Sequence, residues 1–258
     1  MNVLVLLAHH DDEYFVSARI RREIRDGNRL LVAYTTWGSA YGASADVREA
    51  ESFRALSMLG VSSDDVVLLG RELGVADGNA RADCVRILAR CREVFGGSAI
   101  DRVITVAWEG GHPDHDITHL IAKRLATDWQ ALEELYEFAL YTAAGAPSPF
   151  FRVNRFSARA TDADHTHLGL RERMSALLLV RCYRSQWRSF LGLLPEAAVR
   201  FLVLGRQELR RVAPKATANE DAPKRPHNGT LFYERRFNTS FESLMADAAP
   251  LLDTPSPA

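Results

Sequence analysis

Val3-Leu4-Val5-Leu6-Leu7-Ala8-His9-His10-Asp11-Asp12-Glu13 is the stretch on which the reading of this chain turns. An unbroken apolar run of this length fits a buried strand of a parallel sheet. This one discharges into two histidines and three carboxylates, which is unfavourable at a buried strand end unless a positive charge sits there. A second apolar run, 103–106, ends in Trp108-Glu109-Gly110-Gly111-His112-Pro113-Asp114-His115. Two strand-end clusters of His and Asp read as the halves of one divalent-metal site.

Working outward, strand-like runs at 3–7, 30–36, 66–69, 103–106 and 138–142 alternate with helix-like stretches at 13–25, 46–59, 81–95 and 116–135. Such alternation implies βαβ units, hence a mostly parallel Rossmann-like α/β sheet with helices on both faces. Strand order 3-2-1-4-5 makes the first and fourth strands neighbours, and the crevice beyond their carboxyl ends becomes the ligand-binding switch point. Both His/Asp clusters fall there. The rhythm covers residues 1–143. Residues 144–249 read as a C-terminal extension that completes the same domain and lies over the active-site edge. Within it, 144–167 reads as irregular, 168–186 and 191–204 as helices with a break at Pro195, and 231–233 as a short strand. Residues 250–258 read as a disordered tail.

The composition bounds the function. In 258 residues, 47% are hydrophobic and 25% charged, ordinary values for a globular chain. A net charge of −1 gives no reason to invoke nucleic acid or a membrane surface. The basic stretches 19–22 and 206–211 read as solvated helix faces. The N-terminal apolar run is too short for a membrane span and lacks the basic flank of a signal peptide. Cys84, Cys91 and Cys182 are an odd number without zinc-like spacing; the first two read as reduced thiols on one buried helical face, and a cytoplasmic setting is expected.

Hydrolytic zinc takes three ligands from His, Asp and Glu and keeps an open position for water. His9, Asp12 and His115 are the candidates. Asp11 is placed to act as general base, and His112 can stabilise an oxyanion or protonate a leaving amine. Asp114 can orient one of the imidazoles. Gly110 and Gly111 let the backbone come close to a substrate, and Trp37, with Tyr41, stands where it can stack on a sugar or close the core. Two imidazoles and a carboxylate also accept Fe2+ or Co2+ in place of Zn2+.

The ordered motifs Ala8-His9-x-Asp11-Asp12-Glu13, Arg48-x2-Glu51-x3-Ala55-x3-Leu59-Gly60 and His112-Pro113-Asp114-His115 resemble the PIG-L/LmbE-like N-deacetylases. The resemblance extends to Tyr183-Arg184-Ser185-Gln186. It implies a zinc-dependent hydrolase that removes the N-acetyl group from a glucosamine-containing small molecule or glycoconjugate. By resemblance His9, Asp12 and His115 hold the metal, Asp11 is the base, His112 faces the tetrahedral intermediate and Arg48 reaches the substrate. Arg48 and Glu51 also sit at i, i+3, where they can pair with each other. His10 stands where many members have Pro, and Gly110 where some have Tyr. These departures bear on the sugar contacts rather than on the metal.

Three rivals remain at this level: an amidohydrolase acting on a non-sugar amide, a metallophosphoesterase, and a nucleotide-binding module. The first βα turn carries no Gly-x-Gly-x-x-Gly and no phosphate-binding lysine, which counts against the last.

Overall fold

The computed structural model describes residues 1–38, 44–142, 151–156, 163–212 and 223–253. Strand β1 (Asn2–Leu7) is the axis of the sheet, pairing in parallel with β2 (Arg29–Tyr34) on one side. Beyond β2 lies the short β3 (Val66–Val67); on the other flank of β1 come β4 (Arg102–Val106) and β5 (Leu135–Phe138), again parallel. The order is therefore 3-2-1-4-5, as the alternation of the sequence requires. Chain direction across the sheet reverses between β1 and β4, and the crevice opens beyond Leu7 and Val106.

Because successive side chains of a strand point to opposite faces, β1 feeds two cores. Val3, Val5 and Leu7 pack with Ile20 of α1 (Ser17–Arg25), and with Ala55 and Leu56 of α2 (Ala45–Leu59). Leu4 and Leu6 pack on the other side with Leu69 of α3 (Leu69–Leu73), Ile87 and Cys91 of α4 (Cys84–Phe95) and Ile117 of α5 (Pro113–Asp128). Cys84, Cys91 and Cys182 are free thiols. Among the described residues no helix is long and apolar enough to cross a membrane.

The chain beyond α5 departs from its reading in several places. Residues 138–142 are not one strand. β5 begins earlier and ends at Phe138, and β6 (Tyr141–Thr142) turns away to pair with β7 (Arg152–Val153). The stretch 206–211 is no solvated helix face: as β9 (Arg206–Arg211) it extends the main sheet antiparallel to β5, and β8 (Ala163–His167) adds on outside it. Its buried polar residues explain why the strand pattern was masked. Gln207 accepts a hydrogen bond from the amide of Ala18, and Glu208 accepts one from the amide of Phe156 and pairs with Arg200.

The helices α6 (Leu170–Val180) and α7 (Trp187–Ala198) cover the first core, and α7 runs straight through Pro195. The hydrogen bond that Pro195 cannot donate would go to Leu191, which is exposed, so water can satisfy the orphaned carbonyl. A π-helical segment, Val199–Leu204, follows and stops at Gly205 in the left-handed conformation. Residues 231–233 form no strand. Leu231 starts α8 (Phe232–Arg236), and the Glu234 carboxylate accepts the Leu231 amide at 2.8 Å. Helix α9 (Phe241–Asp253) continues through Pro250 and buries Leu251 on the second core, and 254–258 lie outside the described residues.

Gly70 lets α3 press onto the end of β2: a Cβ there would stand 2.2 Å from the backbone carbon of Thr36. Gly70→Ala is therefore expected to lose about 1–3 kcal/mol through overpacking. Gly97→Ala, where a Cβ would meet nothing within 4 Å, is expected to stay within about 0.5 kcal/mol of the parent. Urea denaturation of the two variants checks the contrast.

Candidate active site

At the end of β1 the chain folds back on its own carboxylate. Asp12 Oδ2 accepts the amides of Ala8 at 3.0 Å and His9 at 2.9 Å, which leaves Oδ1 3.4 Å from His115 Nε2. Neither Asp11 nor Asp12 spends its side chain on capping the helix that follows. Between them Asp11 adopts φ 132°, a strained conformation for a residue with a Cβ. Its amide is held by Glu13 Oε2 at 3.0 Å, and Glu13 Oε1 accepts the Tyr183 hydroxyl at 3.0 Å.

The other half of the site is the first turn of α5. His112 is the N-cap and Pro113 the first helical residue, where a missing N–H costs nothing. His112 Nδ1 accepts the amide of Asp114 at 3.1 Å. A ring nitrogen that accepts carries no proton, so the proton of the neutral ring is on Nε2. Asp114 accepts Gly78 N at 2.6 Å, Ala80 N at 3.1 Å and His9 Nε2 at 3.0 Å, which fixes the ring of His9 and turns its Nδ1 toward His115 Nε2, 3.0 Å away.

His9, Asp12 and His115 thus present three donor atoms, all within 4.8 Å of one another. Ligands of a tetrahedral zinc stand about 3.3 Å apart for bonds of about 2.0–2.1 Å, and the 3.0 and 3.4 Å separations here match that spacing. The electrostatics agree. Burial favours neutral His9, yet its hydrogen bond to Asp114 and the charges of Asp77 and Asp12 raise it to about 9. The carboxylates therefore draw positive charge to this point, as a cation would supply it. Burial pushes the Asp11 carboxyl up to about 8 against the pull of Arg48. Burial and the neighbouring His9 hold His112 well below the usual imidazole range, so it is neutral. His10 is also neutral, lowered to about 3 by burial and Arg48, and stacks on Tyr34 with ring centroids 4.2 Å apart.

A cavity of about 290 Å³ opens over these groups. His9, Asp11, Asp12, Arg48, His112 and His115 line it, and Asp114 stands fully buried behind it. Trp37, Gly110 and Gly111, expected at the substrate, do not line it. Trp37 lies away from the lining, and Tyr41 falls outside the described residues. Gly110 and Gly111 make room for this chain itself: a Cβ would come within 2.6 Å of the Leu231 side chain and of the Tyr141 carbonyl, respectively. Arg48 does line the cavity, but it does not pair with Glu51. Its guanidinium holds Asp77 at 2.5 Å and the His10 carbonyl at 2.7 Å, with Asp11 at 3.8 Å. Glu51 instead takes the amide and hydroxyl of Ser185, next to Gln186 in the cavity wall.

Several lining residues were not singled out by sequence reasoning: Asp77, Phe15, Phe190, Leu193, Arg236 and Phe237. Phe237 meets the His112 ring edge-on with centroids 4.5 Å apart. Asp77 alone carried a signal, being a carboxylate in a loop at the carboxyl edge of the sheet.

A family model described as PIG-L, GlcNAc-PI de-N-acetylase, matches from the middle of β1 to the end of α5. Residues 4–126 are a PIG-L family domain. A search of curated proteins by sequence finds no significant match. Among solved structures, a triple mutant of a deacetylase of teicoplanin biosynthesis aligns with TM-score 0.65 at 20% identity, covering 84% of this chain and 100% of that one. The N,N'-diacetylchitobiose deacetylase of Pyrococcus horikoshii aligns with TM-score 0.60 at 16% identity, over 85% and 88%. A 4-carboxy-2-hydroxymuconate hydratase from Pseudomonas putida aligns with TM-score 0.51 at 15% identity, over 84% and 98%. The PIG-L domain of this chain holds both histidine clusters, whereas the wall supplied by α7 and the α8 end lies after it.

Arg48 and Asp77 are buried partners, so removing the carboxylate strands a charge. Asp77→Ala is expected to cost about 3–5 kcal/mol in urea denaturation. Glu49→Ala, whose partner Arg71 is largely solvated, is expected to cost under about 1 kcal/mol.

Proposed function

We propose that the protein is a metal-dependent hydrolase that removes an N-acyl group, and specifically the N-acetyl group of a glucosamine-containing small molecule, with zinc as its metal. The observation that carries this reading is the meeting of His9, Asp12 and His115 donor atoms beside a carboxylate, Asp11, that has no role in holding them together. The PIG-L domain and the two deacetylases of similar fold, one of teicoplanin biosynthesis and one named for N,N'-diacetylchitobiose, support an amino-sugar amide. The hydratase of similar fold means that the fold alone does not choose the reaction.

A divalent ion held by His9, Asp12 and His115 would supply Lewis acidity at the acyl oxygen and a water of lowered pKa. Asp11 takes the proton of the attacking water. Its strained backbone, fixed by Glu13, aims the carboxylate into the cavity, and Arg48 beside it favours the ionised form needed to accept a proton. His112, neutral with its proton on Nε2, donates a hydrogen bond to the oxygen that gains charge as the carbonyl is attacked. Asp114 keeps His9 in the tautomer that offers Nδ1 to the site. Collapse breaks the C–N bond and the departing amine takes up the proton that Asp11 accepted. Residues 144–249 are read as part of the same domain, supported by the sheet they share with β5 and by the Phe190 and Leu193 wall.

The substitutions at the paired aspartates should differ in kind. Asp12→Ala is expected to lose most bound metal by elemental analysis, since two imidazoles hold zinc poorly. Asp11→Asn should keep the metal and the fold yet lose turnover on the order of 10²–10⁴-fold, the contribution of a general base. Asn retains shape but takes no proton at neutral pH. A metal-free Asp11→Asn beside a fully loaded Asp12→Ala would reverse the two roles.

The reaction is tested by incubating the protein with N-acetylglucosaminyl conjugates and measuring acetate together with the new primary amine. Release should vanish with chelator and return with zinc. Hydrolysis of another amide with every N-acetylglucosaminide left intact would move the substrate class to non-sugar amides.

A further inference from the structure

Between Leu170 and Arg206 every exposed side chain is either apolar or an arginine. On α6 the exposed residues Leu170, Met174, Leu177 and Leu178 recur at helical spacing. On α7 and the π-helical segment Trp187, Leu191, Val199 and Val203 do the same, with Trp187 56% and Val203 68% exposed. Exposed arginines punctuate both: Arg171, Arg181, Arg184, Arg188 and Arg206. None of them has an ionic partner among the described residues, and Arg188 lies over the Trp187 ring at 5.4 Å. The two acids of the segment are drawn in: Glu172 takes the amide of Gly169 and faces Arg25, and Glu196 is half-buried.

Arg173 ties the two segments together. Its guanidinium donates to the Leu168, Leu202 and Val203 carbonyls, fastening the start of α6 to the end of the π-helical segment. So many exposed apolar side chains on two adjoining helical segments are unusual for a protein that has no partner for them.

The geometry points to an anionic lipid bilayer as the occupant: the α6–α7 face docks on the membrane interface, its leucines, valines and Trp187 entering the headgroup boundary and its arginines meeting lipid phosphates. Apolar residues interspersed with basic ones, and no exposed acid, are the composition of an interfacial helix face. A second copy of this chain fits less well, because a two-fold contact would set arginine against arginine with no carboxylate to separate them. The docking is interfacial rather than spanning, since no described helix can cross a bilayer. The same α7 turns Phe190 and Leu193 into the catalytic cavity, so a docked molecule carries that cavity beside the lipid surface.

Flotation of the full chain with vesicles tests it. Vesicles of phosphatidylcholine with about one-third phosphatidylglycerol should carry the protein and phosphatidylcholine alone should not, with binding reduced at high salt. Arg181→Gln and Arg188→Gln should each weaken binding about fivefold. The double variant Leu191→Gln with Val203→Gln should abolish it while circular dichroism stays unchanged. As a readout on the parent chain, tryptophan emission should shift to the blue on anionic vesicles, and Trp187→Phe should remove that shift. Equal or absent binding to both vesicle types overturns the proposal. So does a monomer–dimer equilibrium in sedimentation that the Leu191→Gln, Val203→Gln variant dissolves, because the second copy would then be the occupant.

Discussion

The site depends on one short hydrogen-bonded loop, in which the amides of Ala8 and His9 close onto the carboxylate of Asp12. A parallel strand that ends in the middle of a sheet leaves its last N–H groups pointing at nothing. Asp12 satisfies two of them with one oxygen and keeps the other oxygen for His115, so the same side chain finishes the strand and joins it to α5. Asp11, caught between the two anchored residues, is forced into its strained backbone and toward the cavity. Remove Asp12 and the strand end, the tilt of Asp11 and the distance to His115 all lose their reference.

Around this loop the polar groups form two interlocked layers. Asp114 ties His9 to the loop at Gly78 and Ala80, and Arg48 ties that loop, through Asp77, back to the His10 carbonyl. Glu13 and Tyr183 connect the first turn after β1 to the stretch between α6 and α7, and Glu51 does the same from α2 through Ser185. Buried charge is tolerated because almost every carboxylate has amide donors as well as a counter-charge. The histidines nearest the cavity are split by these surroundings into one that attracts a proton, His9, and one that refuses it, His112.

Parallel strands announce themselves: β1, β2 and β4 are apolar on both faces, so the runs in the sequence were sufficient to order them, and the His and Asp residues at their ends fell at the one crevice the topology allows. What followed α5 was harder to read for identifiable reasons. β9 buries Gln207 and Glu208 with partners drawn from distant segments, which erases the alternation of an ordinary strand. Pro195 interrupts a helix only where its missing bond matters, and here the residue left without that bond, Leu191, is exposed. Arg48 and Glu51 stand three apart on one helix, which suggests a pair, but tertiary partners with better geometry, Asp77 and Ser185, claim each of them. Net charge was uninformative because the arginines of α6 and α7 are balanced by acids elsewhere in the chain.

The boundary of the PIG-L domain at residue 126 divides the cavity into two inheritances. Its floor, from His9 to His115, lies inside that domain; its wall, from Leu140 to Phe237, comes from chain that the family model does not reach. The two are coupled through aromatic contacts: Phe237 leans on the ring of His112, and Tyr141 meets the ring of His115 edge-on. Those ring contacts are where a change in the wall is felt by the chemistry, so a reshaped pocket that moves Tyr141 or Phe237 also moves a histidine of the floor.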